Sequence, residues 1–346
     1  MFERSTPRIA ATCAAALLVL GGAAACGDDS SAGADGNRVD VVAAFYPLQF
    51  VAERVGGDAV AVTNLVKPGA ESHDLELNPQ QVGQLTDAEV VIYLKGFQPA
   101  VDEAVTQQAA DRAFDVATAV PLLDAAAGGH DHDHEGEDGH DDGHDDHDHD
   151  HGHEDEASPE PTAVEDDGHD HDTGGKDPHF WLDPTRLATV ADEFAKRLGE
   201  VDADRAADYT ARAQALRTEL TALDQEYEQG LATCQRRELV TSHSAFGYLA
   251  DRYKLEQIGI TGLTPEDEPS PQRLAEVTEE AKLHGATTIF FETLVSPKVA
   301  ETIAREVGAQ TAVLDPLEGL QAGSTGDYLS VMRANLTTLK PALGCS

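Results

Sequence analysis

Four histidines stand apart in this sequence. Of its 15 histidines, 11 fall in one tract, His130 to Asp172, which leaves His73, His179, His243 and His284. Neutral imidazole is the commonest protein donor to metals, and three of the four occupy positions where a pocket would form. His73 lies in the loop KPGAESHDLELN, His179 in the motif DPHFWLDP, and His243 where the apolar run RRELVTS stops. Asp315 closes a similar run, QTAVLD. Three imidazoles and one carboxylate make an N3O donor set that suits tetrahedral Zn²⁺, whereas Mn²⁺ favours more oxygen and a larger coordination number. The positions are far apart and form no contiguous motif, so on spacing alone each histidine could equally be a hydrogen-bonded residue at a strand end. His284, in the helical KLHG, reads as a capping or solvated group and is set aside. Glu292, which ends TTIFFE, reads as a partner that orients a histidine or as cleft lining, with a further oxygen ligand as the alternative. Phe180 and Trp181 read as walls that keep the site dry.

The elements that must position these side chains alternate along the chain. RVDVVAAF, AVAVTNLV, EVVIYLKG and RAFDVA read as strands, and YPLQFVAERVG, PQQVGQLTDA and FQPAVDEAVTQQAA as the helices between them. Prolines in the first helical turn support that reading. Two helical stretches follow DPHFWLDP, and the second, from Ala203 to Cys234, is long enough to span two lobes. A second series then begins, with strands RRELVTS, LEQIGI, TTIFFE and QTAVLD, and a final helix from about Asp327 to Leu339. The expected fold is α/β: two lobes with parallel sheets, joined by a long helix. Ligands bind outside the carboxyl ends of strands in open parallel sheets. Two such lobes facing each other would therefore bring His73, His243 and Asp315 around a cleft, with His179 arriving from the segment between them.

The composition bounds what such a cleft can bind. The chain has 346 residues, 40% hydrophobic and 25% charged, with a formal net charge of −40, half of it carried by the 20 Asp/Glu of the tract. That field excludes nucleic acid and anionic membrane surfaces as partners and favours cations. Arg4 and Arg8 precede an apolar run from Ile9 to Ala25 that is too short and too rich in Ala and Gly for a membrane span, so it reads as a secretory signal. Small residues directly before Cys26 mark a lipoprotein signal with Cys26 as the lipid-bearing residue; a plain signal peptide is the alternative. Cys13 leaves with the signal, so Cys234 and Cys345 remain as a pair in an oxidising setting, where a disulfide is expected against the alternative of two buried thiols. The expected organisation is signal 1–25, tether 26–37, first lobe 38–122, acidic His-rich loop 123–176, metal-site segment and linking helices 177–233, and second lobe 234–346.

VKPGAESHDLELNP, DPHFWLDP, LVTSHSAFGYLADRY and FFETLVSPKVAETIAREVGAQTAVLDPLEGL resemble, in order and context, the solute-binding proteins of bacterial zinc and manganese ABC transporters. The resemblance covers nearly the whole mature chain. It implies a C-clamp of two (β/α)4 lobes joined by a rigid backbone helix, with the metal held between the lobes. Carried over residue by residue, the ligands it implies are His73, His179, His243 and Asp315, with water as a substitute for Asp315 if the lobes stand open. Manganese members tend to carry glutamate where this chain has His243, so histidine favours zinc.

The resemblance also implies partners and a location. Zn²⁺ would be a transported ligand, handed to a membrane permease with a cytoplasmic ATPase by a monomer anchored outside the membrane. The tract would serve as a zinc-gathering antenna, with a zinc sensor or an inert linker as alternatives, since no rigid four-donor geometry is built into it. Two other functions compete: a manganese-binding protein or adhesin of the same fold, and a zinc hydrolase. The hydrolase needs a general base, and the chain has no HExxH pair.

Overall fold

A computed structural model of the chain describes residues 38–125 and 175–346. The signal, the tether with Cys26, and the tract histidines lie outside the described residues. The first strand, β1 (Val39–Ala43), is buried at four of its five positions without polar alternation, the pattern of a strand covered on both faces. It is followed by α1 (Tyr46–Gly56), β2 (Val60–Asn64), α2 (Pro79–Asp87), β3 (Val90–Tyr93), α3 (Pro99–Gln108) and β4 (Ala113–Asp115). The strands pair in parallel in the order β2-β1-β3-β4. Each helix of this lobe starts with proline in its first turn, and α2 is closed by a capping box between Asn78 and Gln81.

The second lobe repeats the scheme. Its elements are β5 (Glu238–Thr241), α6 (Gly247–Tyr253), β6 (Glu256–Gly259), α7 (Pro271–Leu283), β7 (Thr288–Phe291), α8 (Lys298–Val307), β8 (Gln310–Val313) and α9 (Tyr328–Leu343). The sheet order is β6-β5-β7-β8, again parallel throughout. In both sheets the strand order reverses beside the first strand, between β1 and β3 and between β5 and β7, which opens a crevice at the strands' carboxyl ends. β8 stops at Val313, two residues before Asp315, and α9 runs past the expected Leu339 with Pro341 in its last turn.

Between the lobes lie α4 (Pro184–Val201) and α5 (Ala206–Leu231). Asp183 caps α4 by accepting from the Thr185 amide at 2.8 Å. The 26 residues of α5 span about 39 Å, and Tyr209, Ala213, Leu216, Leu220, Leu223, Tyr227 and Leu231 bury one stripe along it. Each buried leucine contributes about 2 kcal/mol by removal from water. The same helix reaches both lobes: Arg54 of α1 pairs with Glu219, while Asp224 takes Arg252 of α6 through bonds of 2.9 and 2.6 Å. Tyr227 donates to the Met332 carbonyl of α9 at 2.6 Å. Beyond α5 the chain is pinned to the end of α9 by the disulfide Cys234–Cys345, across 111 residues of sequence, and by the Gln235 and Arg236 amides donating to the Leu343 carbonyl.

Candidate metal centre

Each sheet ends in loops at the crevice, and four of these segments converge. His73 comes from the loop after β2, His179 from the segment entering α4, His243 from the loop after β5, and Glu318 from the loop after β8. All four are buried, with His179 and His243 fully so. Glu318 Oε1 lies 3.3 Å from Nε2 of His73, 3.2 Å from Nε2 of His179 and 3.1 Å from Nε2 of His243. Nε2 of His179 and Nε2 of His243 are 3.4 Å apart. Four donors around zinc, each at about 2.0 Å, form a tetrahedron with edges of about 3.3 Å. The four separations match that figure. His73 Nε2 is buried and makes no well-formed hydrogen bond; its near neighbour is Glu318 Oε1, so the atom is turned into the cluster.

The other ring nitrogen decides whether an imidazole can ligate. His179 Nδ1 is 2.8 Å from Asp177 Oδ1, which also accepts the His179 backbone amide at 2.9 Å. His243 Nδ1 is 2.5 Å from Glu292 Oε1, and the Ser242 hydroxyl donates to the same oxygen. A carboxylate at Nδ1 keeps the proton there, leaves the Nε2 lone pair toward the cluster and raises the basicity of the ring. The backbone at His243 is held as well, since its carbonyl accepts from the Thr241 hydroxyl at 2.8 Å and from Gln257 Nε2 at 3.0 Å. In the His73 loop, Gln98 donates to the Ser72 carbonyl at 2.8 Å and the His73 amide donates to Glu71. Aromatic rings complete the walls. Phe97 stands edge-on to His73 with centroids 4.7 Å apart, and Trp181 lies 5.2 Å from His179, backed by Phe180.

The charges are strongly coupled. Burial holds the His73 imidazole below its ordinary pKa, against the pull of Glu318. Burial also pulls on His179, but its hydrogen bonds to Asp177 and Glu318 together outweigh it and the pKa rises. For His243 burial is again overcome, by the charge and hydrogen bond of Glu292 and by Glu318, and the pKa stands well above the usual value. Glu318 is held well below the carboxylate range: burial would raise it, but three facing imidazoles prevail. Glu71, buried beside the Glu318 charge, is pushed well above the ordinary carboxylate range.

The structure brings together His73, His179 and His243 as the sequence reading expects, but Asp315 is outside the group. Its Oδ1 accepts the Leu317 amide at 2.8 Å and its Oδ2 the Thr293 hydroxyl at 3.0 Å. Glu318, three residues on, supplies the carboxylate instead. The signal was present, since Glu318 lies in the same LDPLEGL, but which acid turns inward depends on a backbone turn that residue types do not announce. Asp177, immediately before Pro178-His179, also escaped notice, as did Phe97. Glu292 faces Nδ1 of His243 and not the cluster, in keeping with an orienting partner. His284 is at the opposite end of β5 from His243, where its ring lies 3.3 Å from Glu238. The disulfide expected between Cys234 and Cys345 is formed.

Comparison with known proteins finds relatives among zinc-uptake and zinc-binding proteins. The family described as zinc-uptake complex component A, periplasmic (ZnuA), matches residues 41–342. The zinc-binding protein AdcA of Streptococcus pyogenes is 34% identical over 309 residues, 88% of this chain and 56% of AdcA. This chain thus spans about half the length of that relative. The high-affinity zinc uptake system protein ZnuA of Bacillus subtilis is 30% identical over 324 residues, 92% of each chain. Among solved structures, the Zn(II)-bound ZnuA-like domain of Streptococcus pneumoniae AdcA superposes with a TM-score of 0.67 at 27% identity, covering 89% of this chain and 99% of that one.

Proposed function

The chain belongs to the ZnuA family of periplasmic zinc-uptake components, and from that premise we propose that it captures Zn²⁺ outside the cytoplasm and delivers it to an ABC permease powered by a cytoplasmic ATPase. The ligands are the Nε2 atoms of His73, His179 and His243 and the carboxylate of Glu318. The observation that carries this reading is the convergence of these four buried donors within 4.8 Å of one another, with Glu318 Oε1 at 3.1 to 3.3 Å from all three Nε2 atoms. Three neutral nitrogens and one carboxylate suit zinc over the harder Mn²⁺.

Capture is favoured over catalysis by the same count. A catalytic zinc keeps one position open for water or substrate, whereas four protein donors close a tetrahedron. Zinc here is cargo, and it must also leave. His73 belongs to the first lobe, while His243 and Glu318 belong to the second, so parting the lobes splits the donor set. Across the lobes the Gly69 amide donates to the Leu320 carbonyl at 2.8 Å, between the loop that carries His73 and the loop that carries Glu318. Opening at this contact is the release step. The protein works as a monomer, held to the outer face of the membrane by lipidated Cys26, where the signal-like N-terminus would place it.

Metal analysis of protein purified without added metal, followed by Zn²⁺ and Mn²⁺ competition, tests the proposal. One tightly held zinc per chain, not displaced by excess Mn²⁺, is expected. Preferential manganese occupancy, or hydrolytic turnover well above that of free zinc, would overturn it.

A further inference from the structure

The loop that delivers Glu318 is unusual. Leu317, directly before Glu318, is fully buried with φ +62°, in the left-handed region that non-glycine residues rarely adopt. A leucine held there needs surroundings that dictate the conformation. They are present, and they converge on Asp315. Its Oδ1 accepts the Leu317 amide at 2.8 Å, bracing the turn from inside. Its Oδ2 is tied to the Thr293 hydroxyl at 3.0 Å, which anchors the turn to the loop after β7. The Asp315 backbone is bracketed by one side chain, with its amide donating to Asn335 Oδ1 at 2.9 Å and its carbonyl accepting from Asn335 Nδ2 at 2.7 Å. Trp181, two residues after His179, donates from Nε1 to the Pro316 carbonyl at 2.7 Å and so couples the turn to the His179 segment.

We propose that Asp315 is a positioning residue of the metal centre: its carboxylate fixes the left-handed turn at Leu317 that aims Glu318 at the three histidines, without touching the ion. Both oxygens of Asp315 accept hydrogen bonds away from the cluster, Oδ1 from the Leu317 amide and Oδ2 from the Thr293 hydroxyl, whereas Glu318 Oε1 faces three Nε2 atoms at 3.1 to 3.3 Å. Without the Asp315 brace, Leu317 relaxes toward negative φ and Glu318 swings from the cluster, leaving three histidines and water. The inference rests on the zinc-capture reading above and adds to it the means by which the fourth donor is set.

Two substitutions separate positioning from ligation. In Asp315→Asn the side chain still offers an oxygen to the Leu317 amide and an amide group to the Thr293 hydroxyl, but it has lost its charge and is a poor metal ligand. In Asp315→Ala the brace is gone. Zinc affinity by chelator competition is expected to stay within about threefold of wild type for Asn and to fall about ten- to a hundredfold for Ala, the range typical when a partner that orients a ligand is lost. The Co²⁺-loaded Asn variant keeps the wild-type four-coordinate absorption, whereas that of the Ala variant shifts as it does in Glu318→Gln. A third variant covers a failure of Asp315→Ala to fold: glycine adopts positive φ freely, so Leu317→Gly should make the alanine at 315 less damaging than it is beside Leu317. Asparagine as harmful as alanine, a changed cobalt spectrum in Asp315→Asn, or an Asp315→Ala variant that binds like wild type would each overturn the proposal. If wild-type protein itself bound no zinc tightly, the capture reading would fall instead.

Discussion

Replacing Glu292 gives a graded test of how the centre is built. One oxygen, Oε1, serves both His243 Nδ1 at 2.5 Å and the Ser242 hydroxyl, and the side chain is 4% exposed, so water cannot substitute for it. Orienting partners of metal-bound histidines are worth about 10- to 100-fold in affinity, or about 1.4 to 2.7 kcal/mol. Glutamine keeps the acceptor oxygen and loses only the charge. Since a charge-assisted bond is about twice as strong as a neutral one, about half of the upper figure is lost, and zinc binding weakens about tenfold. Alanine also strands a buried N–H, which costs about 1 to 3 kcal/mol, and frees the ring to rotate, so the loss approaches a hundredfold. Chelator competition at pH 7.5 measures both, and cobalt spectra check that four donors remain. The reasoning is refuted if glutamine costs as much as alanine with a change in cobalt coordination, which would make Glu292 a ligand, or if neither substitution alters affinity.

Alanine at His73, His179 or His243 removes one of four donors from a site worth about 12 kcal/mol, so about 3 kcal/mol, or about a hundredfold in zinc affinity, is expected to be lost at each position by the same titration. Zinc affinity should rise with pH from below the usual histidine value of about 6.5 up through the raised values of His179 and His243, up to about tenfold per unit for each proton displaced; a flat profile by calorimetry would count against them as ligands. By the same shifts, the contribution of these two rings to metal-free stability is present below pH 6.5 and is lost as pH rises through their raised values, which thermal melts in chelator can follow. Serine at both Cys234 and Cys345 opens a link across 111 residues and should lower unfolding free energy by about 4 to 5 kcal/mol in denaturant titrations, with zinc affinity unchanged. Deleting residues 130–172 should leave one tight zinc site by calorimetry, since no donor of the cluster lies there.

Much of this protein is legible in its residue types. Strands such as VDVVA are apolar throughout because both faces are covered, and prolines and capping residues mark the helix starts, so the alternation of elements and the two-lobe α/β fold follow from local chemistry. His73, His179 and His243 stood out as candidates because so few histidines lie outside the tract and because strand ends are where parallel sheets bind ligands, but position left a satisfied strand-end histidine equally open, and the resemblance of their motifs singled them out. The cysteine pair was legible by elimination. The choice between Asp315 and Glu318 was not. Both acids lie in LDPLEGL, and which of them points into the cleft depends on β8 stopping at Val313 and on Leu317 adopting φ +62°, a conformation that leucine does not favour by itself. Thr293, Asn335 and Trp181, brought from 22, 20 and 135 residues away, impose it through their bonds to Asp315 and Pro316. The same holds for the roles of Glu292 and Asp177: sequence supplies carboxylates near histidines, but only packing decides which ring nitrogen each one meets. Local propensity therefore determined the framework, and motifs marked three histidines of the cluster, while long-range hydrogen bonds, which no sequence window contains, decided which acid joins them.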